Sequence, residues 1–123
     1  MSDLNDKLLI TYGLTNEEIY KLNEVFKNKV SKECIVIKDG MAKFKMKEII
    51  LGNKGNEGVE ELPKEKVIIF NGLANSSLQN AIKAVRNNLE DKPILAAITP
   101  VSINWSFKFL LEHLIEEKKR FSK

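Results

Sequence analysis

Two stretches decide the fold: Lys7-Leu-Leu-Ile-Thr-Tyr-Gly13-Leu14-Thr15-Asn16 and Lys66-Val-Ile-Ile-Phe-Asn-Gly72-Leu73-Ala74-Asn75. They align at a constant offset of 59, because 72 minus 13 and 66 minus 7 give the same difference. Each is a short apolar run with a glycine at its end, followed by a polar residue that opens a helical pattern. An apolar run of this length suits a strand buried on both faces, and the glycine lets the chain turn tightly out of it. The chain therefore reads as one domain, residues 1–123, made of pseudo-repeats 7–52 and 66–121 packed about a pseudo-two-fold and joined by a flexible linker, 53–65.

The repeat extends outward from these runs. Thr15 and Glu18 form a capping-box pattern, and the helix they open carries Ile19, Leu22, Phe26 and Val30 on one face. In the second copy Leu78, Ala81, Ile82, Val85 and Leu89 lie 59 positions beyond Ile19, Leu22, Asn23, Phe26 and Val30. Further strands are expected at Cys34–Ile37 and Pro93–Thr99, the latter stopped by Pro100, which lacks a ladder donor. Residues 42–50 alternate with a period of two, yet Ala42, Met46, Ile49 and Ile50 also form a helical stripe, with Gly52 placed as a C-terminal cap. The repeat partner of this segment is helical in pattern, so it is read as helix.

A last helix is expected from about Ser102 to about Arg120, with Ile103, Phe107, Leu110, Leu111, Leu114 and Phe121 as its core stripe. Ser102 or Asn104 would cap it. Residues 1–6 read as a frayed start, and the Gly-, Pro- and charge-rich run 53–65 as the linker. The order βαβα, linker, βαβα predicts an α/β fold: one four-stranded, mainly parallel sheet of order 2-1-3-4 with helices on both faces.

Charge excludes little. Basic residues number 20 and acidic residues 17, so the net charge of +3 is spread: residues 1–62 hold 10 and 11, residues 63–123 hold 10 and 6. The Lys43, Lys45 and Lys47 run reads as a solvated face, and nucleic acid is not the expected partner without a stronger basic excess and an aromatic platform. The single Cys34 cannot form an internal disulfide, and no Cys/His cluster has metal-ligand spacing, so neither a metal nor a cofactor is expected. No signal-peptide pattern and no membrane-length apolar run is present, so the expected location is the cytoplasm and a membrane is not an expected partner.

Two places could carry function. A parallel switch point between the first and third strands would gather Gly13, Leu14, Thr15 and Asn16 with Gly72, Leu73, Ala74 and Asn75, where helix N-termini favour an anionic small molecule. Neither copy has a glycine-rich phosphate loop. The second place is Thr99-Pro100-Val101-Ser102-Ile103-Asn104-Trp105, with Pro100 expected trans. On a helical wheel Trp105 and Phe109 fall opposite the core stripe, in line with His113, which marks an interface with a protein partner or a second copy. Catalysis finds little support: His113 sits among glutamates on a charged helix, and Cys34 has no base beside it.

From Val67-Ile-Ile-Phe-Asn-Gly72-Leu73, through Ala96-Ala-Ile-Thr-Pro100-Val-Ser-Ile-Asn104-Trp105, to Leu110-Leu-Glu-His-Leu114, the chain resembles a small bacterial family, domain of unknown function 3783. The resemblance covers about residues 66–120 and implies no activity. At the constant offset the first half has Gly40, Met41 and Met46 where the second has Thr99, Pro100 and Trp105, so a site built on Thr99, Pro100, Asn104 and Trp105 would be single. The expected function is a non-enzymatic interaction or self-association module, with a sensor of an anionic metabolite at the Gly-Leu turns and the Thr99-Pro100 loop as the alternative.

Overall fold

The computed structural model describes residues 4–52 and 61–121, the side chain of Phe121 excepted. Most of the expected linker and the Phe121 packing position therefore lie outside the described residues. The elements run β1 (Leu8–Tyr12), α1 (Asn16–Val25), β2 (Ile35–Ile37), a 3-10 turn (Asp39–Met41), α2 (Met46–Ile50), β3 (Val67–Asn71), α3 (Asn75–Asn88), β4 (Ile94–Ala97), a second 3-10 turn (Ser102–Asn104) and α4 (Phe107–Phe121). The sheet has the order β2-β1-β3-β4, as the repeat predicts. Both central strands are buried along their whole length, which explains their unbroken apolar runs.

The sheet is mainly parallel: β1 pairs with β2 and β3 with β4 in that sense, while β1 and β3 are antiparallel. The antiparallel pair is a consequence of the symmetry. A two-fold axis that stands normal to a sheet between two neighbouring strands must reverse one strand relative to the other while keeping their faces. The register locates it, because Ile10 pairs with Ile69, the residue 59 positions on. Leu9, Leu22, Phe26, Ile68, Phe70, Ala81 and Val85 form the core beneath α1 and α3. On the opposite face, Leu8, Ile10, Ile69, Met46, Ile49, Phe107 and Leu111 form the core beneath α2 and α4.

The offset does not stay constant. Ile10 lies opposite Ile35 in β2, whereas its equivalent Ile69 lies opposite Ala96, so the second repeat gains two residues between α3 and β4. From there the repeats match at an offset of 61. Met46 N–H donates to the Trp105 carbonyl at 2.8 Å and Phe107 N–H to the Phe44 carbonyl at 2.9 Å, with Lys45 and Ser106 bridged between them. This second crossing of the pseudo-axis buries Met46 and Phe107 completely. The counterpart of Trp105 is thus Phe44, not Met46.

Local expectations are refined in the same way. Residues 42–50 are helical only over Met46–Ile50, and Ala42, Phe44 and Met46 are buried while Lys43 and Lys45 point to solvent. Gly52 does end that helix, with φ +97° and its N–H on the Ile49 carbonyl. The final helix starts at Phe107 rather than near Ser102, and Ser106 caps it by accepting the Phe109 N–H at 3.2 Å. Residues 4–6 are held, since the buried Asn71 amide donates to the carbonyls of Leu4 and Asp6. Leu62 is buried against the α2/α4 core, anchoring the end of the expected linker.

Candidate functional site

The antiparallel centre separates the two Gly-Leu turns. Gly13 leaves β1 beside Glu65 and Lys66, where β3 begins, and Gly72 leaves β3 beside Asn5 and Asp6, before β1 begins. The turns lie at opposite ends of the sheet, so they share no crevice. Both glycines hold φ +77°, and a Cβ on either would overlap a backbone carbonyl of the neighbouring strand. Their first role is to let the chain turn against that neighbour.

The flanking residues are used unequally. Thr15 caps α1, its Oγ1 accepting the Glu18 N–H at 3.1 Å while Glu18 accepts the Thr15 N–H at 2.9 Å. Asn16 is the exposed first residue of that helix. In the second repeat the N-cap is Ala74, not Asn75, and no side chain caps the helix; Asn75 is exposed.

Lys66 ties the Gly13 end together, reaching Asp91 at 2.6 Å and Glu18 at 3.0 Å. The hydrogen bonds that it donates to Asp91 and Glu18 raise its pKa. Burial disfavours the Glu18 carboxylate, but the Thr15 amide and Lys66 outweigh it and leave the group below the usual carboxylate range. Next to this cluster lies a pocket of about 550 Å³ lined by Tyr12, Gly13, Asp39, Lys64, Lys66 and Lys92, among others. Tyr12 donates to Asp39 at 3.0 Å, and its phenol is pushed up to about 12 by burial and then by that carboxylate.

The Thr99-Pro100 loop closes on itself. Thr99 N–H and Oγ1 both contact Ser102 Oγ, at 3.0 and 3.1 Å, and Ser102 N–H returns to Thr99 Oγ1 at 2.9 Å. Pro100 is trans and exposed, and Asn104 Nδ2 donates to its carbonyl at 3.4 Å. This network sets the 3-10 turn that delivers Trp105.

Trp105 then begins an aromatic ladder on the outer side of α4. Its ring meets Phe109 edge-on at 4.8 Å between centroids and His113 at 5.2 Å. His113 Nε2 lies 2.8 Å from Glu117. Trp105 is half-buried against the core, whereas Phe109 is 52% exposed. In the first repeat Phe44 occupies the Trp105 position and is buried. The aromatic face therefore belongs to the second repeat alone, although Trp105 itself packs on the core rather than opposite it.

Residues 66–121 match the domain of unknown function DUF3783. The DUF3783 match begins at Lys66, just before β3, and ends with α4, so it covers one βαβα repeat. Neither a curated protein nor a solved structure matches the chain.

Two further features went unseen in the sequence. A groove of about 760 Å³ runs along the β2 edge, lined by Cys34, Ile35, Val36, Lys38, Met41 and Ile49, among others. Burial pushes the Cys34 thiol up to about 11, which makes it an inert group at neutral pH. The other is a smaller groove beside Leu73, between α3 and the segment that follows α1. Among the described residues no group of three or more His, Cys, Asp or Glu side chains could hold a metal ion, and no helix is long and apolar enough to cross a membrane.

Proposed function

We propose that the protein is a non-enzymatic interaction module that binds a second copy or another protein through the Trp105, Phe109 and His113 face. The observation that carries this reading is the ordered three-ring cluster: Phe109 is exposed, yet its ring is already held edge-on against Trp105. Aromatic rings fixed before binding bury a large apolar area at small entropic cost, the usual property of an interface anchor.

Phe109→Ala is the cleaner test than Trp105→Ala, because Trp105 also packs on the core. Sedimentation velocity across a wide concentration range should show assembly of the wild type and loss of assembly in a Phe109→Ala protein with an unchanged far-ultraviolet spectrum. A wild type that stays monomeric throughout removes the second copy as the occupant and leaves a different protein. The alternative, a sensor spanning both Gly-Leu turns, is not favoured by their placement at opposite ends of the sheet.

A further inference from the structure

Lys7 and Lys66 occupy the same place in the two repeats. Each directly precedes a central strand, and each accepts at its carbonyl a hydrogen bond of 2.8 Å, from Ser31 N–H and Ile94 N–H respectively. Their side chains meet different surroundings. Lys66 is held by two carboxylates, Glu18 and Asp91. The residue 59 positions beyond Glu18 is Ser77, so at the Lys7 end the carboxylate is missing.

A groove of about 270 Å³ opens at that end, lined by Lys7, Lys29, Ser77 and Asn80 with Phe26 and Leu73 among its apolar residues. Among the described residues no carboxylate lines it. Lys29 Nζ lies 6.0 Å from the centroid of the Phe26 ring. Two cations, a hydroxyl and two amides, Asn28 and Asn80, thus line one groove where the sister repeat has an internal ion pair. Such a set is short of negative charge and rich in donors, the complement of an oxyanion.

We infer that this groove binds a phosphate-type oxyanion, inorganic or carried by a small phosphomonoester. The anion takes the place that the Glu18 carboxylate takes beside Lys66, with Lys7 and Lys29 supplying charge and Ser77 and Asn80 supplying hydrogen bonds. The organic part of an ester would rest on Phe26 and Leu73. The site lies on the α1/α3 face of the sheet, opposite the Trp105 ladder, so it stands or falls independently of the association reading.

The test is an amide-correlation NMR titration of the intact chain with inorganic phosphate and with glycerol phosphate, against sodium chloride at equal ionic strength. Saturable shifts at Lys29, Ser77 and Asn80 are expected with at least one of the two. Tighter binding of glycerol phosphate would identify an ester as the ligand, and equal binding the inorganic ion. Lys7→Gln and Lys29→Gln should each weaken binding about tenfold or more. Ser77→Glu supplies the sister repeat's carboxylate and should abolish binding while leaving the other resonances in place. Shifts that stay linear and match those in chloride would overturn the assignment, as would undiminished binding by folded Ser77→Glu.

Discussion

Alanine at the three left-handed glycines should destabilise in the order Gly52, Gly72, Gly13. Gly52 holds φ +97° with nothing within 4 Å of a would-be Cβ, so Gly52→Ala carries conformational strain alone. That strain is about 1–2 kcal/mol, partly offset by the reduced freedom of the unfolded chain, for a net loss of about 1 kcal/mol. At Gly72 the new Cβ also lies 2.5 Å from the Asp6 carbonyl oxygen and 2.7 Å from that of Asn5. Both are backbone atoms, but they sit near the chain start and can give way, so about 2–3 kcal/mol is expected. At Gly13 the Cβ overlaps the Glu65 carbonyl. That segment cannot retreat, because Leu62 is buried just before it and the Lys66 carbonyl is bonded to Ile94. Gly13→Ala should therefore cost about 3–5 kcal/mol. Urea unfolding of each variant, read at the midpoint with an unchanged slope, measures the series. A Gly13→Ala protein no less stable than Gly52→Ala would mean that β1 does not end against Glu65, and the antiparallel register at the centre of the sheet would fall with it.

Neighbouring phenylalanines on α4 should behave oppositely in stability: Phe107→Ala, at a fully buried site on the pseudo-axis, is expected to cost about 3–5 kcal/mol, and Phe109→Ala within about 0.5 kcal/mol, both by denaturant unfolding. Tyr12 should hold its proton in the folded state to about pH 12, against an ordinary value of 10.0, because burial and the Asp39 carboxylate both oppose the phenolate. In this range the unfolded chain binds fewer protons than the native one, so the contribution to stability is full below pH 10.0 and is lost as the pH rises toward about 12. Phenolate absorbance in a Tyr20→Phe background, where Tyr12 is the one remaining tyrosine, reads the titration directly. Titration at the ordinary value would show that the hydroxyl is neither buried nor paired with Asp39.

Much of the fold was legible because β1 and β3 are buried on both faces, which leaves an apolar run that solvent exposure does not interrupt. Thr15 and Glu18 made the first helix start visible, and the shared offset gave the strand order. The direction of β3 relative to β1 was not legible, since an apolar run looks the same in either sense. The two residues gained before β4 were hidden too, because Ile94 and Ile35 are both β-branched and satisfy an offset of 59 while the ladder pairs Ala96 at the equivalent place. Ser106 gave no capping-box signal, as the third residue after it is Phe109 rather than an acid. Phe109 and His113 were legible as one helical face, whereas Trp105, expected on that helix opposite the core stripe, precedes α4 in an extended conformation and packs on the core. The Lys7 groove was not legible: both lysines stood in the aligned stretches, but only the antiparallel pairing brings Lys66 to Glu18 and Lys7 to Ser77.

A chain folded about a pseudo-axis contains its own control, because a position that serves packing alone is under the same demand in both repeats. Met46 and Phe107 illustrate the conserved demand, both fully buried beside the axis. The departures fall elsewhere. Phe44 is tucked into the core where Trp105 instead supports an exposed ring, and Glu18 closes on a lysine where Ser77 leaves one open. Neither departure improves the packing of the second repeat: the first leaves a large apolar side chain in water, and the second has no carboxylate to make the N-cap and lysine contacts that Glu18 makes. Stability alone favours the first repeat's solution at both positions. Both departures lie in the segment that matches DUF3783, while the groove beside Ser77 also takes Lys7 and Lys29 from the first repeat, so Trp105→Phe and Ser77→Glu, which restore the first repeat's solutions, should weaken association and anion binding respectively.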